Sequence, residues 1–270
     1  MVKVGIIGGS GLEDPNIIQN PKTISVDTPY GKPSDELVEG TINGVEVVLL
    51  ARHGRNHDIM PGNVNYRANL WALHSQGAEQ HVEPGHLLFP DSVFDRTNGR
   101  LSTFFDGSHS EAPGVCHIQS HPTYNEKLRQ VLISTAERLH LVHHRTGFGV
   151  CIEGPRFSTK AESTVFRSWG ASLVNMTMMP ECILAKELGL PYATTALVTD
   201  YDCWKEEDHV TAASVMKVFA ENAEKAKTLF VEAVGEIGKM DWSLEIQKLK
   251  KEARESVMVH PDVVIPFLTN

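Results

Sequence analysis

Two carboxylates lie two residues apart at Asp200 and Asp202, directly after the apolar run of residues 192–198. A run of this length and composition predicts a buried strand, so the acids follow the point where that strand leaves the core. α/β proteins place ligand chemistry at this position. Two carboxylates so close together should raise the pKa of one, which favours a protonated acid that donates to a departing base. The alternative is a solvated turn, because aspartate is common in turns.

Other predicted strands end in residues that suit an anion. The glycine-rich turn 8–11, which carries Ser10, allows close backbone approach, so its amides and the Ser10 hydroxyl could hold an anion. Arg52 offers a fork of donors suited to phosphate, and His53 beside it can donate as well. If the strands are parallel, these groups and the acid pair collect along one sheet edge. The strands that end in this way are predicted at residues 4–7, 45–51, 172–176 and 192–198.

Each of these segments also has a purely structural interpretation. The glycines can form a tight turn and nothing more. Arg52 can be a surface arginine and His53 a packed histidine. His53 and His57 have the i,i+4 spacing of some metal ligands, but no glutamate or third ligand accompanies them, so we predict no metal site.

A turn after another predicted strand could supply a wall for a planar ring. Residues 153–158 read Glu-Gly-Pro-Arg-Phe-Ser, and the glycine and proline fix a turn that could hold Phe157 outwards with Ser158 beside it. Core packing of Phe157 is the alternative. Met176, which ends the predicted strand 172–176, is of a residue type found more often in a core than against a ligand.

Composition narrows the class of protein and its partners. The net charge of −9 and the pI of about 5.8 argue against a nucleic-acid binder, which needs a basic face. The four cysteines are far apart and form no Cys-x-x-Cys pair, so we predict neither a zinc site nor a disulfide framework, and a reduced compartment. The chain has no secretion signal and no run of membrane-spanning length, which predicts a cytoplasmic protein without a membrane partner.

The order of the elements predicts an α/β fold. Short apolar runs alternate with helical patterns, and no repeat, low-complexity tract or linker divides the chain, so we expect a single domain over residues 1–270. Thr159 and Glu162 form a capping-box pattern at the start of one helix, and Pro180 and Gly189 bracket another. Besides those already named, strands are predicted at residues 87–90 and 148–153, and helices at 66–75, 125–140, 212–235 and 243–258.

Long motifs occur in one order from the first strand to about residue 230. They are GIIGGSGLEDP at 5–15, VDTPYGKPSD at 26–35, ARHGRNHDIMPGNVNYRANLWAL at 51–73, CIEGPRFSTKAES at 151–163, NMTMMPE and TDYDCWKE. Together they resemble the 5'-methylthioadenosine phosphorylase branch of the purine nucleoside phosphorylase family. The resemblance implies a homotrimer of single α/β nucleoside phosphorylase domains, each with a mixed central sheet flanked by helices, that needs no metal or organic cofactor.

The resemblance also implies a reaction. Methylthioadenosine and phosphate, as co-substrate, would give adenine and 5-methylthioribose-1-phosphate, a pentosyl transfer in purine and methionine salvage. One rival interpretation is a 6-oxopurine or methylthioinosine phosphorylase. Another is a non-catalytic nucleoside-binding paralogue or splice form.

Individual residues take roles from the same resemblance. Asp200 would donate to, or share a proton with, purine N7 as the glycosidic bond breaks, and Asp202 would accept from the 6-amino group. The 6-oxopurine relatives typically have asparagine in place of the first acid, so the acid here favours adenine. Phosphate would be bound by Ser10, Arg52, His53 and Thr177.

The remaining implied contacts concern the nucleoside. Phe157 would lie on the purine, and His117 would approach the 5' pocket of a neighbouring subunit. Ala213 is smaller than the expected valine and Met216 is larger, which leaves the 5'-substituent open. The residues implied to line the nucleoside are Phe157, Ser158, Asn175, Met176, Thr199, Tyr201, Ala213 and Met216, with His117 from the neighbour.

One part of the family pattern is missing from its expected place. After helix 66–75 the family continues into a buried strand and a turn that touches phosphate and ribose, whereas here residues 77–85 pass straight to Leu87. A strand and turn of about a dozen residues are thus expected to be absent. Either the chain carries a true deletion, or its sequence has been closed over a mobile loop. We favour the second, because removing a central strand would leave neighbouring backbone groups unpaired.

Overall fold

The structure is a computed structural model, and it describes residues 2–9, 17–76, 78–82, 87–203 and 211–269. The strands are β1 (Lys3–Gly8), β2 (Gln19–Ile24), β3 (Leu37–Ile42), β4 (Val45–Ala51), β5 (Ala78–Val82), β6 (Ser92–Arg96), β7 (Val115–Cys116), β8 (Phe148–Ile152), β9 (Leu173–Asn175), β10 (Tyr192–Ala193) and β11 (Val257–Met258). The helices are α1 (Tyr66–Ser75), α2 (Glu126–Arg138), α3 (Lys160–Ser168), α4 (Met178–Glu187), α5 (Ala212–Gly238) and α6 (Ser243–Glu255).

The central sheet is mixed and has the strand order β10-β5-β1-β4-β3-β2. The four strands β10, β5, β1 and β4 are parallel neighbours, and β3 and β2 continue the sheet in antiparallel fashion. The predicted α/β class with a mixed central sheet is therefore confirmed. Because β1, β4 and β10 run in one direction, their carboxyl ends meet at one edge of the sheet, as expected.

Side chains of the central strands alternate between two faces, as the strand period requires. On β4, Val48 and Leu50 join a core with helices α1, α4 and α6, whereas Val47 and Leu49 join a second core with α2 and α5. All four side chains are buried. This alternation explains why an unbroken apolar run forms β4, since both of its faces are covered by helices.

A second, three-stranded parallel sheet has the order β6-β8-β9, and it corrects the expectation that the strand of residues 172–176 belongs to the central sheet. Leu88 links the sheets through bridges to His144 and Ala196. The strand predicted at 87–90 is reduced to this bridge. The prediction for residues 192–198 is also too long, because β10 ends at Ala193.

The strand expected to be missing is present. Residues Ala78–Val82 form β5, which pairs in parallel with β1 on one side and with β10 on the other. The prediction that this strand is absent was therefore wrong, and the chain is continuous through it. Only four residues, 83–86, connect β5 to Leu87, and they lie outside the described residues, as does Gly77.

The helices follow their sequence signals closely. Thr159 and Glu162 exchange the two hydrogen bonds of a capping box at the start of α3. Thr211 and Ser214 do the same at the start of α5. No helix in the described ranges is long and apolar enough to cross a membrane.

The C-terminal segment after β11, for which the sequence predicts no role, packs onto the core. Phe267 and Leu268 are buried, and the Phe267 ring meets Trp71 of α1 edge-on with centroids 5.1 Å apart. Arg254 of α6 donates to the carbonyl oxygens of Pro261 (3.3 Å) and Val263 (3.1 Å). The segment thus fastens α1 to α6.

Candidate active site

Arg52 lies against the glycine turn that follows β1. Its backbone N–H donates to the Gly8 carbonyl (2.9 Å). A Cβ built on Gly9 would lie only 2.9 Å from Arg52 Nη1, so this close approach requires glycine. The prediction that Arg52 lies close to the glycine turn is confirmed. Ser10 lies outside the described residues.

The Arg52 guanidinium is buried, which contradicts the alternative of a surface arginine. Its Nε and Nη2 donate to the two carboxylate oxygens of Glu181 on α4, at 2.9 and 3.1 Å, and Tyr192 Oη donates to the same carboxylate at 2.7 Å. Burial alone lowers the pKa of Arg52, but the Glu181 carboxylate outweighs it and leaves that pKa above its ordinary value. The cation is held in one geometry by this forked pair.

His53 is buried beside Arg52, and its Nδ1 lies 2.8 Å from the Ile59 carbonyl oxygen. A carbonyl oxygen can only accept, so Nδ1 carries the proton in this contact. Burial, and then the Arg52 charge, lower the pKa of His53 to about 4, so the ring is neutral near pH 7. In this neutral tautomer Nε2 is an acceptor, and the expectation that His53 binds an anion stays a prediction.

Thr177 begins helix α4, and its turn is held by Asn175. Asn175 Oδ1 accepts from the backbone N–H groups of Thr177 (3.2 Å) and Met178 (3.0 Å), and its Nδ2 donates to the Val150 carbonyl (3.2 Å). The Thr177 hydroxyl makes no capping bond to the helix. Asn175 thus shapes the turn with its side chain, and Thr177 presents the hydroxyl that suits a phosphate oxygen.

The acid pair lies in a loop that bonds to itself. Asp200 accepts from the Thr199 hydroxyl (2.6 Å) and from the Asp202 N–H (2.8 Å), and Asp202 accepts from the Cys203 N–H (2.8 Å). Asp202 has φ of 59°, the left-handed conformation that aspartate tolerates better than most residues. Each Asp200 oxygen keeps a second lone pair, so the carboxyl group can still meet a purine nitrogen.

The predicted ring wall adjoins the acid loop. Phe157 is 41% exposed, which contradicts the alternative that it packs in the core. Cys203 Sγ donates to the Ser158 carbonyl (3.3 Å) and so joins the two segments. Ser158 Oγ is buried without a protein partner. Tyr201, also in the acid loop, is 59% exposed.

Met176 joins the ring wall to the phosphate turn. A Cβ built on Gly154, which has φ of +69°, would lie 2.6 Å from Met176 Sδ, so the two segments touch where glycine is required. Met176 also precedes Thr177. Arg52 is joined through Glu181 to helix α4, at whose start Thr177 lies. A series of contacting segments therefore leads from the glycine turn and Arg52 to the acid loop.

Three predicted residues stand apart from these contacts. His117 is exposed and its N–H donates to the Ser256 carbonyl (2.8 Å), next to the two-stranded ribbon of β7 and β11. Ala213 and Met216 are exposed on the first turns of α5. Contacts within one chain do not test the roles that the resemblance implies for these residues, and these roles remain predictions.

Sequence reasoning missed two residues of the site. Glu181 is fully buried and fixes Arg52. The only sequence signal for this role is that an acidic residue occurs near the start of an apolar helix. Arg100 is a lone arginine in a polar loop, which carries no signal, yet it bonds to carbonyl groups on both sides of Thr177. Among the described residues, no group of three potential metal ligands occurs.

Comparisons with known proteins agree with this geometry. The model of the phosphorylase superfamily matches residues 3–235. An S-methyl-5'-thioadenosine phosphorylase of Caenorhabditis elegans is 83% identical, with 100% of this chain and 98% of that protein covered. Its Xenopus tropicalis counterpart is 50% identical, with 96% and 97% covered.

Solved structures give the same result. A methylthioadenosine phosphorylase from Schistosoma mansoni in complex with adenine superimposes with a TM-score of 0.91 at 40% identity, over 96% of this chain and 99% of that one. A mutant of the adenosine/methylthioadenosine phosphorylase from the same organism, in complex with methylthioadenosine, has a TM-score of 0.90 at 39% identity, over 96% and 99%.

The comparison with the C. elegans relative also bears on the length of this chain. That alignment extends over 281 positions against 270 residues in this chain, so at least 11 residues of the relative have no counterpart here. This difference agrees with the expected shortage of about a dozen residues, and the preference for a sequence closed over a mobile loop stays a prediction. On its motifs, its fold and these relatives, the chain belongs to the phosphorylase superfamily, in its methylthioadenosine phosphorylase family.

Proposed function

We propose that the protein catalyses the phosphorolysis of 5'-methylthioadenosine to adenine and 5-methylthioribose-1-phosphate. The observation that carries the proposal is the series of contacting segments, with a buried, forked arginine beside the glycine turn and an acid loop beside an exposed aromatic ring. An anion and a purine could be held at the two ends. The relatives named S-methyl-5'-thioadenosine phosphorylase support the proposal.

The phosphate end supplies charge and a proton acceptor. Arg52 places a permanent positive charge beside the glycine turn, and the Thr177 hydroxyl can donate to a phosphate oxygen. Neutral His53 offers Nε2 as an acceptor, so it would take a hydrogen bond from a protonated phosphate oxygen. Three different groups thus orient one nucleophile, and orientation can supply about 7–11 kcal/mol of the barrier in favourable cases.

The purine end stabilises the leaving group. Breaking the N-glycosidic bond leaves the ribosyl group short of electrons and the purine with an excess. Phosphate beside the ribosyl carbon stabilises the positive charge, while Asp200 donates to or shares a proton with N7. Asp202 would accept from the 6-amino group, and Phe157 would lie on the ring. No covalent bond to the protein is required.

Further features belong to the same proposal. We infer a homotrimer in which His117 reaches a neighbour's 5' pocket, a cytoplasmic location, and a role in purine and methionine salvage. Phosphate is a co-substrate, and the proposed chemistry needs neither a metal nor an organic cofactor. Ala213 and Met216 would contribute to the choice of 5'-substituent.

The test is phosphate-dependent release of adenine from methylthioadenosine by the wild type and by Asp200→Ala. We expect kcat/KM to fall by about 10²–10⁴-fold in the variant, the usual contribution of a general acid. Asp262→Ala is the matched control, because the Asp262 side chain is 90% exposed and lies in the C-terminal segment.

Other outcomes separate the rival functions. Undiminished adenine release by Asp200→Ala would contradict the assigned role of this acid. A strong wild-type preference for inosine or methylthioinosine would instead favour the 6-oxopurine reaction. Calorimetric binding of adenine without turnover at any phosphate concentration would favour a nucleoside-binding protein, the candidate that the 11 missing positions motivate.

A further inference from the structure

The guanidinium of Arg100 lies buried behind the candidate active site, with only 3% of its side chain exposed. Its Nη1 donates to the carbonyl oxygens of Met176 and Met179, both at 2.7 Å. Its Nε donates to Glu153 Oε2 (3.0 Å), and its Nη2 donates to the Glu153 carbonyl (2.7 Å). One side chain therefore contacts two segments that are far apart in sequence.

The first of these segments is the phosphate turn. Met176 and Met179 flank Thr177, so Arg100 takes the carbonyl groups of the turn while Asn175 takes the amides of Thr177 and Met178. The turn is held from both sides. Its position therefore depends on where the Arg100 guanidinium lies.

The second segment leads to the ring wall. Glu153 follows β8 and precedes the turn that carries Phe157. Arg100 holds this residue by both its side chain and its backbone. Tyr66 Oη accepts from Arg100 Nη1 (3.1 Å) and lies under the guanidinium, which connects the same group to helix α1.

Arg100 has no donor left for a ligand. An arginine has five N–H donors. In Arg100, all three guanidinium nitrogens, Nε, Nη1 and Nη2, donate to protein acceptors. Nη2 also faces the Ile152 carbonyl oxygen at 3.5 Å. It therefore acts on substrates only through the segments that it holds.

We propose that Arg100 is a positioning residue that fixes the separation between the phosphate turn and the ring wall. This inference rests on the proposed phosphorolysis, in which phosphate and purine are held at the two ends of one nucleoside. A fixed separation keeps the attacking oxygen in line with the bond to the purine, and the planar fork of arginine holds both segments where the point charge of lysine cannot.

The chain offers a matched control in Arg129. Its side chain is 4% exposed, and it donates to the carbonyl oxygens of Pro90 (2.9 Å), Phe89 (3.0 Å) and Arg145 (2.6 Å). Pro90 precedes strand β6, whereas Arg100 follows it. The two arginines make the same kind of contact at opposite ends of the three-stranded sheet, and only Arg100 touches the site.

The experiment compares Arg100→Lys with Arg129→Lys by steady-state kinetics and by hydrogen exchange of the native protein. At equal folded fraction, we expect kcat/KM for methylthioadenosine to fall by about 100-fold in R100K, as a displacement of about 1 Å can cause, and to stay near the wild type in R129K. Amides of residues 153–158 and 175–181 should exchange faster together in R100K, and not in R129K.

The possible outcomes test the positioning role of Arg100 and the proposed function separately. Equal kcat/KM in the two variants, or faster exchange in only one of the two segments of R100K, would overturn the positioning role. Wild-type protein without turnover would refute the proposed function, and the exchange data would still decide whether Arg100 holds the segments jointly. Restored turnover of Arg100→Gly by added ethylguanidinium would support the positioning role independently of stability.

Discussion

The two ends of the candidate site are built in different ways. At the phosphate end, Arg52, Glu181 and Tyr192 are each at most 3% exposed, and their hydrogen bonds join the residue after β4 to α4 and β10. At the purine end, Phe157 and Tyr201 are 41% and 59% exposed, and Asp200 is held by neighbours within its own loop. The residues of the phosphate end are thus buried in the core, whereas Phe157 and Tyr201 of the purine end lie at the surface.

The two ends therefore differ in how firmly their side chains are held. Arg52 keeps fixed partners inside the core, whereas the acid loop depends on short-range hydrogen bonds and the aromatic rings beside it are exposed. Three changes test this contrast, in order of decreasing effect.

Glu181→Ala should break the rigid end. It leaves the Arg52 guanidinium buried without its forked partner, and removing one partner of a buried ion pair costs about 3–5 kcal/mol of the free energy of unfolding. Denaturant unfolding measures the loss. Thr199→Val is the counterpart at the purine end, where one hydrogen bond to Asp200 is removed and about 0.5–1.5 kcal/mol is expected. Equal losses would contradict the contrast.

The stability of the rigid end should depend on pH through His53. Its pKa is lowered to about 4 in the folded protein, against 6.5 for the ordinary group, so the unfolded chain binds more protons between these values. The contribution is complete above about pH 6.5 and is lost as the pH falls towards 4, up to about 3 kcal/mol in total.

Comparison of the wild type with His53→Gln by denaturant unfolding across this range isolates the effect. His74, whose pKa burial also lowers to about 4, and Glu187, whose pKa burial raises to about 7, titrate in both proteins. We expect the wild type to lose stability more steeply than the variant as the pH falls. Parallel curves would show that His53 is not held neutral.

Phe157→Ala should weaken the purine end without disturbing the phosphate end. Stacking on an aromatic ring is worth about 1–3 kcal/mol per base, so the KM for methylthioadenosine should rise while the KM for phosphate stays constant. Phe94→Ala is the control, because Phe94 is 46% exposed and contacts Trp169 on another surface. A rise in the phosphate KM would show that the two ends are not separable.

Sequence patterns were most informative where one residue type serves one local purpose. Apolar runs predicted β1, β4 and β8, capping signals predicted α3, and the strand ends located Arg52 and Thr177. Asp200 lies beyond the end of β10 at Ala193, so the predicted strand before it was too long. Contacts between distant segments left no local trace. Glu181 and Arg100 are single charged residues whose partners come from other elements. The sequence also gives no indication of which His53 ring nitrogen carries the proton, because this depends on the hydrogen bond to the Ile59 carbonyl oxygen.

Strand β5 shows a different kind of failure. The comparison with the family pattern predicted that the strand after α1 is absent. The residues that form it, Ala-Glu-Gln-His-Val, lack the apolar run expected of a strand between two parallel neighbours. The strand forms because its backbone pairs with β1 on one side and with β10 on the other. Backbone pairing is indifferent to side-chain type, and a pattern of side chains cannot reveal it.

The pairing of β5 has a consequence for how such chains tolerate insertions and deletions. Five residues complete the ladders of this strand with β1 and β10. Residues in connecting loops are not needed for those ladders, and the entropy of loop closure changes slowly with length. A chain in which at least 11 residues of its C. elegans relative have no counterpart can therefore keep a six-stranded sheet.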